Sequence, residues 1–295
     1  MQTPPTPTAL LPFSPNWLTT AQSLNQAAEL LGGIRRLTQP RQPVSLHLAL
    51  DITRRGLSVG KLPQNGKLWL EFASGCICYQ NADGTVADKI RIHGFTQAQI
   101  FSNLLELLAN ELAELLPQSP NRVDDFFQAL TDKGGYVPPR EEYAKPVELS
   151  VDGMESQNYA HWHWLMFTAL ARFRAQLAGT LSPLIVWPHH LDMATLLFAE
   201  NQLNDHLPHM AFGFAPYSPG LPTPYFYAYA YPTPSDFQPT SALPNGLIWE
   251  NTAYRGIYLA SETIALQHDP AEFVESACQL SYQFLQQMQT TTETK

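Results

Sequence analysis

The segment Tyr225-Phe226-Tyr227-Ala228-Tyr229-Ala230-Tyr231 admits one local structure. Its side chains repeat every two residues, which is the period of an extended strand and not of a helix. One face carries four phenols, Tyr225, Tyr227, Tyr229 and Tyr231. The other carries Phe226, Ala228 and Ala230, small enough to lie under a helix. A phenol covered by protein needs water or a polar partner for its hydroxyl. The tyrosine face is therefore expected to meet solvent, a ligand or another subunit. The remaining chain must supply a sheet around this strand and helices to cover one side of it.

The order of elements supplies both, twice. A helix is expected from about Pro15 to Arg36, with Ser14 as its cap. Leu46, Leu48, Leu50 and Ile52 alternate as a strand, and so do Leu68, Leu70 and Phe72. Cys76–Tyr79 follows, and Asn81-Ala82-Asp83-Gly84 predicts a hairpin turn into Val86–Ile92. Thr96 and Gln99 form a capping box for a helix that reaches Leu116, where Pro117 stops it. Residues 117–150 look like a linker, with a short helix near Asp124–Leu130 and then Gly134-Gly135-Tyr136-Val137-Pro138-Pro139.

The second half repeats the order. Trp162, Leu165, Met166, Ala169, Leu170, Phe173 and Leu177 form the apolar stripe of a helix over about Asn158–Leu177. Strands are expected at Leu184–Trp187 continuing toward Phe198, at His209–Ala215, at Tyr225–Tyr231, and over Leu247–Leu259 with a break. Asp269-Pro270-Ala271-Glu272 opens a last helix that runs to about Met288. The expected fold is α+β: two similar helix–antiparallel strands–helix halves, 14–116 and 151–288, related by a pseudo-two-fold, with adjoining sheets covered by helices. A Pro-rich disordered tail at 1–13 and a frayed end at 289–295 flank them.

Composition excludes some partners. Charged residues are only 15% of the 295, the net charge is -9, and no basic run or stripe exists. Phosphate neutralisation supplies most nucleic-acid affinity, so the chain is not expected to retard DNA at physiological salt. No apolar run approaches the ~20 residues of a membrane span. Met1–Pro7 has neither the basic nor the apolar region of a secretory signal. Cys76, Cys78 and Cys278 are an odd count in poor disulfide geometry, so they are expected as reduced, buried thiols in a cytoplasmic protein.

Six of the nine histidines lie between His161 and His209. His189 and His190 are adjacent, and on an extended chain they point to opposite faces. His190 shares a face with Asp192, and a carboxylate beside an imidazole can orient it as a base or complete a metal shell. His163 flanks the apolar stripe of its helix and can approach His190 across the core, whereas His161 is expected at the surface. His209 ends a loop in which Asp205 and His206 are solvated. The candidate site is thus a pocket between the 189–192 segment and the tyrosine strand. His189, His163, Tyr225, Tyr227 and Tyr229 are its candidate ligand-binding residues, and His190 and Asp192 its catalytic candidates. His163, His190, Asp192 and His209 are candidate metal ligands, with no cofactor assigned.

Three segments carry a family likeness: Arg54-Arg55-Gly56-Leu57-Ser58, Pro188-His189-His190-Leu191-Asp192-Met193-Ala194, and Pro224-Tyr225-Phe226-Tyr227-Ala228-Tyr229 with Pro232 beyond it. Together they resemble a bacterial family without an assigned function, domain-of-unknown-function family 5996. The resemblance spans roughly Trp17 to the last helix. It implies a soluble bacterial protein and supplies no reaction. The function expected from the residues is binding of a small molecule, or of another subunit through the tyrosine face. The alternative is an enzyme, hydrolase-like or metal-assisted, that uses His190 and Asp192.

Overall fold

The first helix, α1 (Trp17–Thr38), starts two residues later than Pro15. The N-cap is therefore Asn16, whose side chain makes no capping bond, and not Ser14. Ser14 lies in the turn before it, where its carbonyl accepts the Trp17 N–H at 3.0 Å and its Oγ accepts the Asn16 N–H at 3.2 Å. The computed structural model describes residues 10–293 except 118, 135, 136, 234–236, 238, 240 and 241. Of the expected flanking tails, 1–9, 294 and 295 lie outside the described residues, as do Gly135 and Tyr136 of the proposed linker. Residues 10–13 pack onto the protein. The Leu11 carbonyl accepts from Asn158 Nδ2 at 2.9 Å and Trp162 Nε1 at 3.1 Å, and the Phe13 ring lies 4.6 Å from that of Trp17.

The Leu46–Ile52 alternation is not one strand. Pro43–Leu48 is a tight helical turn with Val44 at φ 44° and Ser45 at φ 56°, and β1 (Asp51–Thr53) begins only after it. Proline favours the start of such a turn and lacks the N–H a ladder needs. Leu46 instead packs with Ala49 and Ile185. Then β2 (Gly56–Lys61), β3 (Lys67–Glu71), β4 (Cys76–Gln80) and β5 (Val86–Arg91) form an antiparallel meander in the order β1-β2-β3-β4-β5. The capping box is made as predicted. Gln99 N–H donates to Thr96 Oγ1 at 3.2 Å, and Thr96 N–H donates to Gln99 Oε1 at 2.8 Å.

The helix behind the box, α2 (Gln97–Leu107), stops well before Leu116. Looser turns carry the chain to Leu116 and present Glu111 to the β2–β3 hairpin. Glu111 is buried, and its carboxylate accepts Gln64 N–H at 2.7 Å, Gly66 N–H at 2.8 Å and Tyr79 Oη–H at 3.0 Å. Next, α3 (Arg122–Lys133) buries Phe126, Phe127 and Leu130 against α1 and α2.

Asp152 Oδ1 caps α4 (Gly153–Arg174), accepting from Met154 and Glu155 N–H at 2.9 and 3.0 Å. Such a cap is worth about 1 kcal/mol. Strands β6 (Thr180–Leu181), β7 (Ile185–Trp187), β8 (Asp192–Phe198), β9 (His209–Ala215), β10 (Tyr225–Tyr231), β11 (Ile248–Glu250) and β12 (Gly256–Ala260) form a second antiparallel sheet. Its order is β11-β12-β10-β9-β8-β6, with β7 also on β8. A short α5 (Ser261–Ala265) precedes α6 (Pro270–Glu293), which Asp269 caps through Glu272 N–H at 3.0 Å.

The protein is α+β, and both sheets are antiparallel. Each half opens on a 22-residue helix, but one sheet has five strands and the other seven. The sheets adjoin where Leu50 and Val186 exchange backbone hydrogen bonds of 2.8 and 3.0 Å. One buried apolar cluster spans both halves, from Trp17 to Met288. Among the described residues no helix is long and apolar enough to cross a membrane. Cys76, Cys78 and Cys278 are free thiols, and burial raises the Cys78 pKa to about 11.

Candidate functional site

Trp187 at the end of β7 pairs with Asp192 at the start of β8. Residues 188–191 are the loop between them, closed by the His190 N–H on the Trp187 carbonyl at 3.3 Å, with Leu191 at φ 55°. This corrects the extended reading of the histidine pair. The loop turns both imidazoles outward, side by side, with ring centroids 4.2 Å apart and both residues exposed. Pro188 anchors the loop on α1. A Cβ on Gly32 would lie 2.6 Å from Pro188 Cγ, so only glycine lets the helix come this close. Asn25 of α1 donates Nδ2–H to the Pro188 carbonyl at 2.5 Å and accepts the Tyr217 hydroxyl at 2.6 Å. His189 packs near Trp187. Loss of water around its ring, then the charges of His190 and Arg36, lower its pKa to about 4, so it is a neutral imidazole at neutral pH.

Asp192 points into the protein. Its Oδ2 accepts the Tyr227 hydroxyl at 2.5 Å, while Oδ1 is buried with no partner among the described residues. Burial raises its pKa; the Tyr227 hydrogen bond and the His190 charge act in the opposite direction. Tyr227 reaches it from two strands away. It pairs with Gly213 of β9, which pairs with Ala194 of β8. A Cβ on Gly213 would lie 2.5 Å from the Tyr227 hydroxyl oxygen, so the phenol ring crosses the sheet where β9 has no side chain.

The other tyrosines extend this wall, from closed at the Asp192 end to open at the other. Tyr225 is 3% exposed and Tyr227 8%, Tyr229 is half-buried, and Tyr231 is 45% exposed. Tyr225 shares a 2.6 Å hydrogen bond with Ser218 Oγ and stacks on Tyr254 at 6.0 Å. Tyr229 stacks on Tyr227 at 6.1 Å. Burial pushes the Tyr225 and Tyr229 pKa values up to about 12. On the opposite face Phe226, Ala228 and Ala230 are buried against the helices, as the alternation predicts.

The remaining candidates lie elsewhere. His163 is buried on the helix side, with its ring 5.0 Å from Phe72 and 5.8 Å from Tyr159; burial lowers its pKa to about 3, and its Nε2 has no partner among the described residues. His209 sits at the far end of the wall, stacked on Tyr231 at 5.2 Å, with Nδ1 2.8 Å from the Leu207 carbonyl. Among the described residues no group of three or more His, Cys, Asp or Glu could hold a metal ion. His163, His190, Asp192 and His209 are thus not gathered into one ligand set. Nor does any hydrogen bond or ion pair among the described residues join His190 to Asp192. Asn25, Ser218 and Gly213 escaped the sequence reading, although a lone glycine inside a strand does signal close approach of another group.

An α+β protein with a buried carboxylate–phenol pair beneath an exposed histidine turn is the class these observations define. The chain matches the model of the Family of unknown function (DUF5996) over residues 10–291 and belongs to that family. Searches of curated proteins and of solved structures gave no match.

Proposed function

We propose that this protein binds a small molecule at Asp192, between the 188–191 turn and the tyrosine wall. The buried, unpartnered Oδ1 of Asp192 carries the reading. A native protein rarely leaves a buried carboxylate oxygen unpaired, since the deficit costs about 1–3 kcal/mol, and such groups mark functional sites. The ligand is a molecule with an N–H or O–H donor for Oδ1 and an apolar ring for the tyrosines. His190, exposed on the turn, is its outer contact. The enzyme reading has less support, because the hydrogen bond to the Asp192 carboxylate comes from Tyr227 and not from a histidine.

The test separates binding from stability. A carboxyl whose pKa rises on folding stabilises the fold fully below its unfolded value, and that contribution is lost as pH rises through the folded value. Asn cannot ionise and can still accept from Tyr227. Asp192→Asn should therefore melt above wild type at neutral pH and level with it near about pH 3. The same variant should lose the fragments that ligand-observed NMR detects on wild type. Equal fragment affinity in both proteins would refute the site. His190→Ala, at an exposed position, should weaken the same fragments while changing stability by less than about 0.5 kcal/mol, measured by urea unfolding.

A further inference from the structure

A second concave site lies where the C-terminal ends of α1 and α3 meet the strained Pro43–Leu48 turn. It is a cleft of about 260 Å³ lined by Arg36, Arg41, Gln42, Ser45, His47, Leu48, Lys133 and Gly134. Every polar side chain on that wall can donate a hydrogen bond, and none is a carboxylate. In a chain with 26 acidic and 17 basic residues, three fixed cations around one small cleft without an acid are a marked local reversal of charge.

The cleft is held in shape. Lys133 Nζ donates to the carbonyls of Arg36 at 2.7 Å and Leu37 at 2.8 Å, and also to that of Gln39. Its three N–H bonds are thereby used, so it contributes charge at a fixed place. The guanidinium of Arg41 lies near Gly134, and no carboxylate pairs with it among the described residues. His47 Nδ1 accepts the Gln42 N–H at 3.4 Å, which leaves Nε2 to carry the proton of the neutral ring and donate. After burial, the charges of Arg36, Lys133 and Arg41 keep its pKa below the ordinary value. Val44, a β-branched residue at φ 44°, and Ser45 at φ 56° hold the wall in a conformation that L-residues rarely adopt. Strain of this kind costs about 1–3 kcal/mol per residue and collects at ligand-binding segments.

We propose that this cleft binds a small multivalent oxyanion, a phosphate group, through Arg41, His47 and the charges of Arg36 and Lys133. Its volume falls below the about 300–1,000 Å³ of pockets for drug-sized ligands, which fits inorganic phosphate or a short phosphomonoester better than a nucleotide. The proposal stands independently of the Asp192 site.

Thermal melting and calorimetry with inorganic phosphate, and separately with glycerol 3-phosphate, test it at constant ionic strength set with chloride. Phosphate should raise the melting temperature saturably, and tighter binding of glycerol 3-phosphate would identify a phosphomonoester site. Arg41→Gln should weaken binding about tenfold or more, because it removes charge-assisted hydrogen bonds to the anion. His47→Gln, which keeps a donor, should weaken it less. Lys67→Gln removes the same charge at an exposed strand end and should leave the affinity unchanged. Stabilisation no greater than chloride gives, or equal affinity for wild type and Arg41→Gln, would overturn the proposal.

Discussion

Gly213→Ala should destabilise the protein by about 3–5 kcal/mol and lower its melting temperature by roughly 10 °C. The added methyl would collide with the Tyr227 ring and with the Met193 carbonyl of the neighbouring strand. The backbone of β9 is fixed between β8 and β10, so the ring must give way. Displacing the ring breaks its 2.5 Å hydrogen bond to Asp192 and leaves a buried carboxylate with neither oxygen satisfied. The total combines about 1–3 kcal/mol for overpacking with about 1.5–3 for a hydrogen bond to a charged group. Tyr227→Phe removes the second term alone and should cost about half as much. Urea unfolding of the three proteins measures both; a Gly213→Ala midpoint level with wild type would show that the ring does not depend on that gap.

Glu111→Ala should be comparably damaging, at about 3–5 kcal/mol. It strands two backbone donors, Gln64 N–H and Gly66 N–H, together with the Tyr79 hydroxyl, in the turn that joins β2 to β3. Gly66 is itself required in this turn, since a Cβ there would lie 2.7 Å from the Tyr79 ring. Tyr79→Phe deletes one donor and leaves the carboxylate its two backbone partners, so it should cost about 1 kcal/mol. If Glu111→Ala proves no worse than Tyr79→Phe in the same denaturation series, the carboxylate is not what holds the hairpin.

The sequence was most legible where alternation is complete. His209–Ala215 and Tyr225–Tyr231 are strands with the bounds that the pattern predicts, because every second residue there belongs to a helix-packed core. The caps at Thr96 and Asp269 were visible for a similar reason: they act within one turn of chain. Where a proline or glycine changes the backbone, pattern misleads. Leu46 to Ile52 alternates as well as any strand, yet Pro43 starts a turn through Val44 and Ser45 with positive φ. Conversely Gly56, Ser58 and Gly60 look like turn residues, and β2 passes through all three, with Leu57 and Val59 buried between them.

The site divides in the same way. The His189–His190 turn and the tyrosine wall were found as segments, since each is continuous in sequence. Their relation was not. Asp192 was assigned to His190, two residues away, but its hydrogen bond comes from Tyr227, 35 residues on. That partner depends on the register of three strands and on the missing side chain at Gly213, neither of which a local spacing rule contains. The cationic cleft was invisible for a related reason: its four basic side chains come from three segments, and no two of them form a run.

The Leu50–Val186 junction has a consequence for how the chain can be divided. These two backbone hydrogen bonds join Leu50, just before β1, to Val186 of β7, so the two sheets meet edge to edge at this one pair of residues. A fragment ending before α4 would leave the buried Leu50 N–H and carbonyl without partners, and one beginning at α4 those of Val186. Each would carry an unpaired amide and carbonyl at a sheet edge, where another copy can pair. The intact chain satisfies at that seam what either piece alone would leave open to aggregation.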